Sequence, residues 1–312
     1  MENSSGKRNG AQWGLWLGLG VLGGISVYYY PLFMLSMLAV PALWAAMAFR
    51  THPAMLLAAG GCVFLFGYLM GYGSISSLCV LGMAAPAGAM LYLCQKERRG
   101  NFQSVAYGSI LLTFGMFLMF CVPDLMASGD PYVSIRAYFS FIPEMFAGTG
   151  LEQTAQYLVS RVDELIVACF YAFAAGYALV NVLLLHAFNR KGDMPLCPMG
   201  PFGTWAVPYR YSMILGAASL VTTFLAMATD NPLVPALSLL LYEMWALPLM
   251  LTGANFLYAL MSRRLAVRRM KGLFWVLIGS VLLFSPQFAQ MALLLLGLVG
   301  IIMRRRAGKD RR

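Results

Sequence analysis

Glu243 is the single carboxylate in the apolar run LLLYEMWALPLM, residues 240–251. A carboxyl in such a run can exchange a proton, hold a cation, or hydrogen-bond to a neighbouring helix when protonated. Its depth follows from local signals. Asn231 is a good N-cap and Pro232 suits the first helical position. A helix starting near 232 carries Glu243 roughly 16 Å along its axis, close to the middle of a bilayer. Pro248 lacks an N–H and strains the preceding turn, which frees a carbonyl near Met244. Ala236, Glu243, Ala246 and Gly253 fall within roughly 100° on the helical wheel, a small-residue stripe expected to face other helices. Three readings stand side by side: a protonated, structural hydrogen bond, a wall of a solute or ion path, or a residue nearer the surface than the register implies. Asn181 and Asn255 are further candidates for the same intramembrane polar site.

Other reactive patterns are weaker. The histidines are His52, in an Arg-Thr-His-Pro turn, and His186, beside Asn189. There is no H-E-x-x-H, G-x-S-x-G or P-loop, and nothing brings His186 to Ser109 or Ser280 as a dyad. The Gly18-Leu-Gly20 region follows no strand and is not a nucleotide loop. The six cysteines, 62, 79, 94, 121, 169 and 197, form no C-x-x-C pair and read as packing residues. No catalytic, metal-binding or cofactor-binding residue is assigned, no cofactor is expected, and nothing requires an enzyme.

The elements that must hold Glu243 are membrane helices. Apolar residues make up 60% of the chain and charged residues 11%, against about 25% charged in a soluble domain. Apolar runs recur at about 12–29, 31–48, 53–72, 75–95, 102–122, 161–188, 209–229, 232–262, 270–284 and 287–303. The fold expected is an all-α polytopic transmembrane bundle of about ten spans, eight at the fewest. Gly14 with Gly18, Gly20 with Gly24, Gly67 with Gly71, and Ala42 with Ala46 share the spacing that lets helix backbones approach closely.

Charge orients these spans. With a cytoplasmic N-terminus, every one of the 22 basic residues except Arg136 and Arg161 falls inside. The tail 1–11 reads as the cytoplasmic start of a retained signal-anchor, and 304–312 as a basic cytoplasmic tail. A first bundle covers 12–188, a Pro-rich cytoplasmic elbow 189–208, and a second bundle 209–303. Within the first bundle, 123–160 is an outer interfacial segment. It opens on Ser128-Gly129-Asp130-Pro131, carries a capping box at Thr149 and Glu152, and runs as an amphipathic helix into the sixth span. It either lies on the membrane surface or caps an outward-facing cavity. Trp205 and Arg210 at the elbow, and Arg263, Arg264, Arg268, Arg269 and Lys271 in the next basic loop, are candidate contacts for partners or anionic lipid on the cytoplasmic side. The basic excess reads as orientation and lipid contact, with no nucleic-acid partner.

The stretch PFGTWAVPYRYSMIL, the opening YYYPLFMLSMLAVPALWAAMAFR, and the order LTGANFLYALMSRR, short hairpin, basic tail resemble the YybS-like family of bacterial integral-membrane proteins. That family is a domain of unknown function and supplies no catalytic residues. In layout it is distantly similar to the substrate-capture subunits of energy-coupling-factor importers, which have about six spans. The resemblance implies a multi-pass protein of the bacterial cytoplasmic membrane. Two functions remain open: transporter-like capture of a small solute in an outward-facing cavity, and a non-transporting scaffold recruiting membrane, cytoplasmic or envelope proteins.

Overall fold

A computed structural model describes residues 3–26, 33–51, 53–71, 73–145, 147–148, 152–190, 192–199, 205–229, 231, 233–264 and 286–309. Every regular element among them is an α-helix. The chain divides into two compact units, Met1–Pro198 and Met199–Arg312. The division falls within the proline-rich segment, where four prolines prevent a continuous helix.

The first unit contains α1 (Asn3–Ser26), α2 (Phe33–Arg50), α3 (Pro53–Leu69), α4 (Gly73–Lys96), α5 (Asn101–Ser128), the short α6 (Val133–Phe139), α7 (Ile142–Met145) and α8 (Glu152–Ser160), and α9 (Val162–Phe188). α1 begins at Asn3, inside the stretch read from the sequence as a tail. Small residues set the close approaches. Gly20 of α1 lies against Met47 of α2, and Gly24 against Val63 of α3. Gly115 of α5 lies against Met83 of α4. Gly14 and Gly18 face open space.

The partners also fix direction. α2 and α4 run parallel, with Gly88 on Pro41 and Trp44, and Phe49 on Tyr92. α2 and α9 run parallel, with Ala42 bonded to Asn181 and Arg50 to Phe188. α5 is antiparallel to both α4 and α9: Gln95 meets Ser104, and Phe120 meets Phe170. One end of this unit therefore gathers Arg50 and the Lys96–Arg99 turn. The other holds α6, α7 and α8 with Asp124, Asp130, Asp163 and Glu164.

That acidic end is cross-linked by polar contacts. Gly129 ends α5 in the left-handed region, φ 76°, and its N–H donates to Leu125 O at 3.0 Å. Ser134 N–H and hydroxyl both donate to Asp124, at 2.7 and 2.6 Å. Arg136 pairs with Asp130 at 2.6 Å and with Asp163 at 2.9 Å, and Arg161 with Glu164 at 3.5 Å. The two cations that the charge rule leaves on this side are thus balanced locally. The amphipathic helix does not run unbroken into the next span. Arg161, at φ −113° and ψ 18°, separates α8 from α9. Thr149 lies outside the described residues, and Glu152 accepts from Gly148 N–H at 3.3 Å.

The second unit contains α10 (Tyr209–Ala228), α11 (Leu233–Arg264) and α12 (Pro286–Lys309). α10 is antiparallel to α11, with Gly216 on Trp245 and Thr223 on Ser238. α11 and α12 run parallel, with Tyr242 near Gln290, Leu249 on Gly297 and Phe256 on Gly300. Gly253 and Gly297 are required there: a Cβ on Gly253 would strike the Leu293 carbonyl, and one on Gly297 the Leu249 carbonyl. Lipid offers no hydrophobic drive for helices to associate, so such close backbone packing does most of the holding.

Five helices among the described residues are long and apolar enough to cross a membrane: Asn101–Ser128, Val162–Phe188, Tyr209–Ala228, Leu233–Met261 and Phe288–Arg305. Trp13–Ile25, Leu38–Arg50 and Leu56–Leu69 are shorter apolar helices. The span read at 270–284 lies outside the described residues, as do Arg268, Arg269 and Lys271.

Candidate functional site

α11 carries the candidate site, and its start is fixed by a cap. Leu233 N–H donates to Asn231 Oδ1 at 3.0 Å. Glu243 then lies about 15 Å along the helix, near mid-depth for a crossing segment. It is the only acid in α10, α11 and α12.

Pro248 is inside the helix. Its missing N–H leaves the Met244 carbonyl without a helical donor. Tyr211, on α10, supplies one: its hydroxyl donates to Met244 O at 3.2 Å. The next turn is closed in a similar way. Thr252 Oγ1 donates to Pro248 O at 2.9 Å and accepts from Val207 N–H at 3.1 Å. Asn255 Nδ2 donates to Trp205 O at 3.3 Å. Further up, Thr223 and Ser238 hydroxyls share a hydrogen bond at 2.9 Å. Tyr242 OH accepts a long contact of 3.5 Å from Gln290 Nε2. Each of these bonds serves a polar group that an apolar surrounding would otherwise penalise by about 1–3 kcal/mol.

Two groups break this pattern. Asn255 is fully buried, and its Oδ1 accepts no hydrogen bond from the described residues. Glu243 is half-buried and makes no hydrogen bond or ion pair among the described residues. Ala246, fully buried, and Gly253 face α12, and Glu243 sits roughly 60° round the helix from Ala246. Trp245 and Ser238 face α10 on the other flank. Glu243 is therefore turned away from α10.

The three candidate polar residues are not assembled into one cluster. Asn255 lies twelve positions beyond Glu243, about 18 Å along α11 and about 120° around it. Asn181 belongs to the first unit and has a structural task. One residue past Pro41, where the proline ring opens α2, Ala42 N–H donates to Asn181 Oδ1 at 2.8 Å. Asn181 Nδ2 donates to Tyr177 O, also at 2.8 Å.

The elbow is engaged on both sides of its break. Met194 bonds both side-chain atoms of Asn189 at 2.8 Å. Gln95, fully buried, accepts from Cys197 N–H at 3.0 Å and donates to Asn101 and Ser104 at 2.9 Å. Nothing in the local pattern QKERRG singled out Gln95. His186 Nε2 sits 3.2 Å from Asn101 Oδ1, while the Ser109 hydroxyl donates to Val105 O. Those bonds engage both groups elsewhere than with each other. Trp205 is half-buried and Arg210 exposed. Arg263 and Arg264 close α11. No group of three or more His, Cys, Asp or Glu suited to a metal occurs among the described residues.

No curated protein and no solved structure matches the chain. Residues 19–301 match the family described as "Predicted membrane protein (DUF2232)". That match takes in all three helices of the second unit up to Ile301, Glu243 included, and the chain belongs to this family of predicted membrane proteins.

Proposed function

We propose that this protein is a transporter-like, multi-pass protein of the bacterial cytoplasmic membrane that handles a small solute or ion at Glu243. One observation carries the reading. Glu243 is the only acid in three membrane-crossing helices, and it lacks a partner among the described residues where neighbouring polar groups on α11 have one. A purely structural carboxyl would be expected to hydrogen-bond an adjacent helix, as Asn181 does. A carboxyl left without a partner among the described residues inside a long apolar helix has the features of a binding position.

The scaffold reading depends on an elbow free to recruit partners. It has less support, because Met194, Cys197, Trp205 and Val207 are each bonded to side chains of their own unit. About ten crossings with both termini in the cytoplasm accompany the proposal. Within the first unit, Arg50 and Lys96–Arg99 share one end. Within the second, Arg210, Arg264 and Arg305 share one end. Arg264 and Pro286 lie at opposite ends of the parallel α11–α12 pair, which supports a further crossing at 270–284.

Paired variants test the site. Glu243→Gln and Glu243→Lys should both accumulate in the membrane, because a wet path can hydrate the new charge. Failure of the lysine variant alone would indicate a dry structural carboxyl and end the proposal. Topology has its own check. A cytoplasm-active reporter after Arg312 or near Gly192 should be active, and one near Gly129 silent. Activity at Gly129 would overturn the crossing count.

A further inference from the structure

We propose that Arg305 and Arg210 form a headgroup site for an anionic phospholipid at the end of the second unit where α10 begins and α12 finishes. The inference rests on the membrane embedding of these helices and not on the role of Glu243. The Arg305 guanidinium lies over the Tyr209 ring, 4.1 Å from its centroid. A guanidinium held over a ring face by cation–π attraction can keep its in-plane N–H donors for another acceptor. Arg210 is the next residue after Tyr209, with Cα atoms about 3.8 Å apart, and it is exposed. Among the described residues neither arginine has an ion pair or hydrogen bond.

Among the described residues, no acid of these helices lies near the pair. Gly300 packs on Phe256. Arg305 lies five residues beyond Gly300, and Glu243 thirteen residues before Phe256 on a parallel helix. The two levels differ by roughly 25 Å. Both arginines also stand at the terminal turns of segments apolar enough to cross a membrane, Tyr209–Ala228 and Phe288–Arg305. That places two guanidiniums at the depth of lipid phosphates, one of them already oriented by an aromatic ring. A guanidinium binds a phosphate through two parallel N–H···O bonds, so a preset fork favours a specific lipid over a diffuse cloud.

Native mass spectrometry of the full chain, released from bilayers of phosphatidylglycerol and phosphatidylcholine, reads the outcome. The wild type should retain phosphatidylglycerol preferentially. Arg305→Gln and Arg210→Gln should each lower that retention about fivefold. Tyr209→Leu should lower it with the charge unchanged, and Arg305→Lys should only partly restore it. Arg98→Gln, the same loss of charge in the first unit, should leave it intact. Equal loss in Arg98→Gln would reduce the effect to bulk charge and overturn the site. So would wild-type retention in the Arg210→Gln, Arg305→Gln double variant. Displacement of the lipid by millimolar inorganic phosphate would reassign the site to a free anion.

Discussion

Asn181 and Glu243 are both polar side chains inside apolar helices, each near a proline-disturbed turn. Around Asn181 the disturbance is closed. Pro41 opens α2, and the amide of Asn181 takes the Ala42 N–H while returning its own N–H to Tyr177. Around Glu243 the proline's freed carbonyl is also closed, but by Tyr211. The carboxyl is left out of the exchange. The difference separates two uses of polarity in a membrane helix. A group that completes a backbone hydrogen bond stabilises packing. A group that completes no bond among the described residues can instead meet a ligand, as the proposed site requires.

Four substitutions can break or sharpen that contrast. The largest effect is expected at Gly253, because its contrast with the first unit presumes that α11 is pressed against α12. Gly253→Leu cannot be placed without moving the Leu293 backbone. It should fail to accumulate as a monodisperse species on size exclusion; normal behaviour would mean that the two helices do not pack this closely.

Asn181→Leu comes next. It leaves the buried Ala42 N–H without an acceptor, which costs about 1–3 kcal/mol, and should lower the thermal midpoint in detergent. An unchanged midpoint would remove the structural half of the comparison. Tyr211→Phe strips only the donor to Met244 O and should cost about 0.5–1.5 kcal/mol, read in the same melt.

The smallest stability change should come from Glu243→Leu. The carboxyl makes no hydrogen bond or ion pair among the described residues, so its removal breaks no such contact and should shift the midpoint little. Uptake or solute retention should disappear in the same variant. Marked destabilisation would mean that Glu243 makes a structural bond after all.

Much of this was legible locally. Asn231 and Leu233 obey the N-cap pattern over two residues, Gly129 supplies the turn after α5, and Pro248 marks the freed Met244 carbonyl. The apolar runs and the clustering of Arg and Lys follow directly from composition. Each of these signals involves neighbours within about one helical turn, where backbone geometry alone decides the outcome.

The partners were not legible. Asn181 meets Ala42 across 139 positions, and Gln95 meets Cys197 across 102. Tyr211 closing the Met244 carbonyl, and the parallel run of α11 and α12, have no local trace either. In a soluble helix the apolar stripe tells which side is buried. In lipid the outer face is as apolar as the core, so hydropathy carries almost no information about rotation. The sequence by itself determined that the chain is a set of apolar, membrane-type helices, where several of them begin, and that one carboxyl stands well inside an apolar run. Only the tertiary structure decided which face each helix turns inward, and with it that Asn181 is bonded to its neighbours while Glu243 is bonded to none of the described residues.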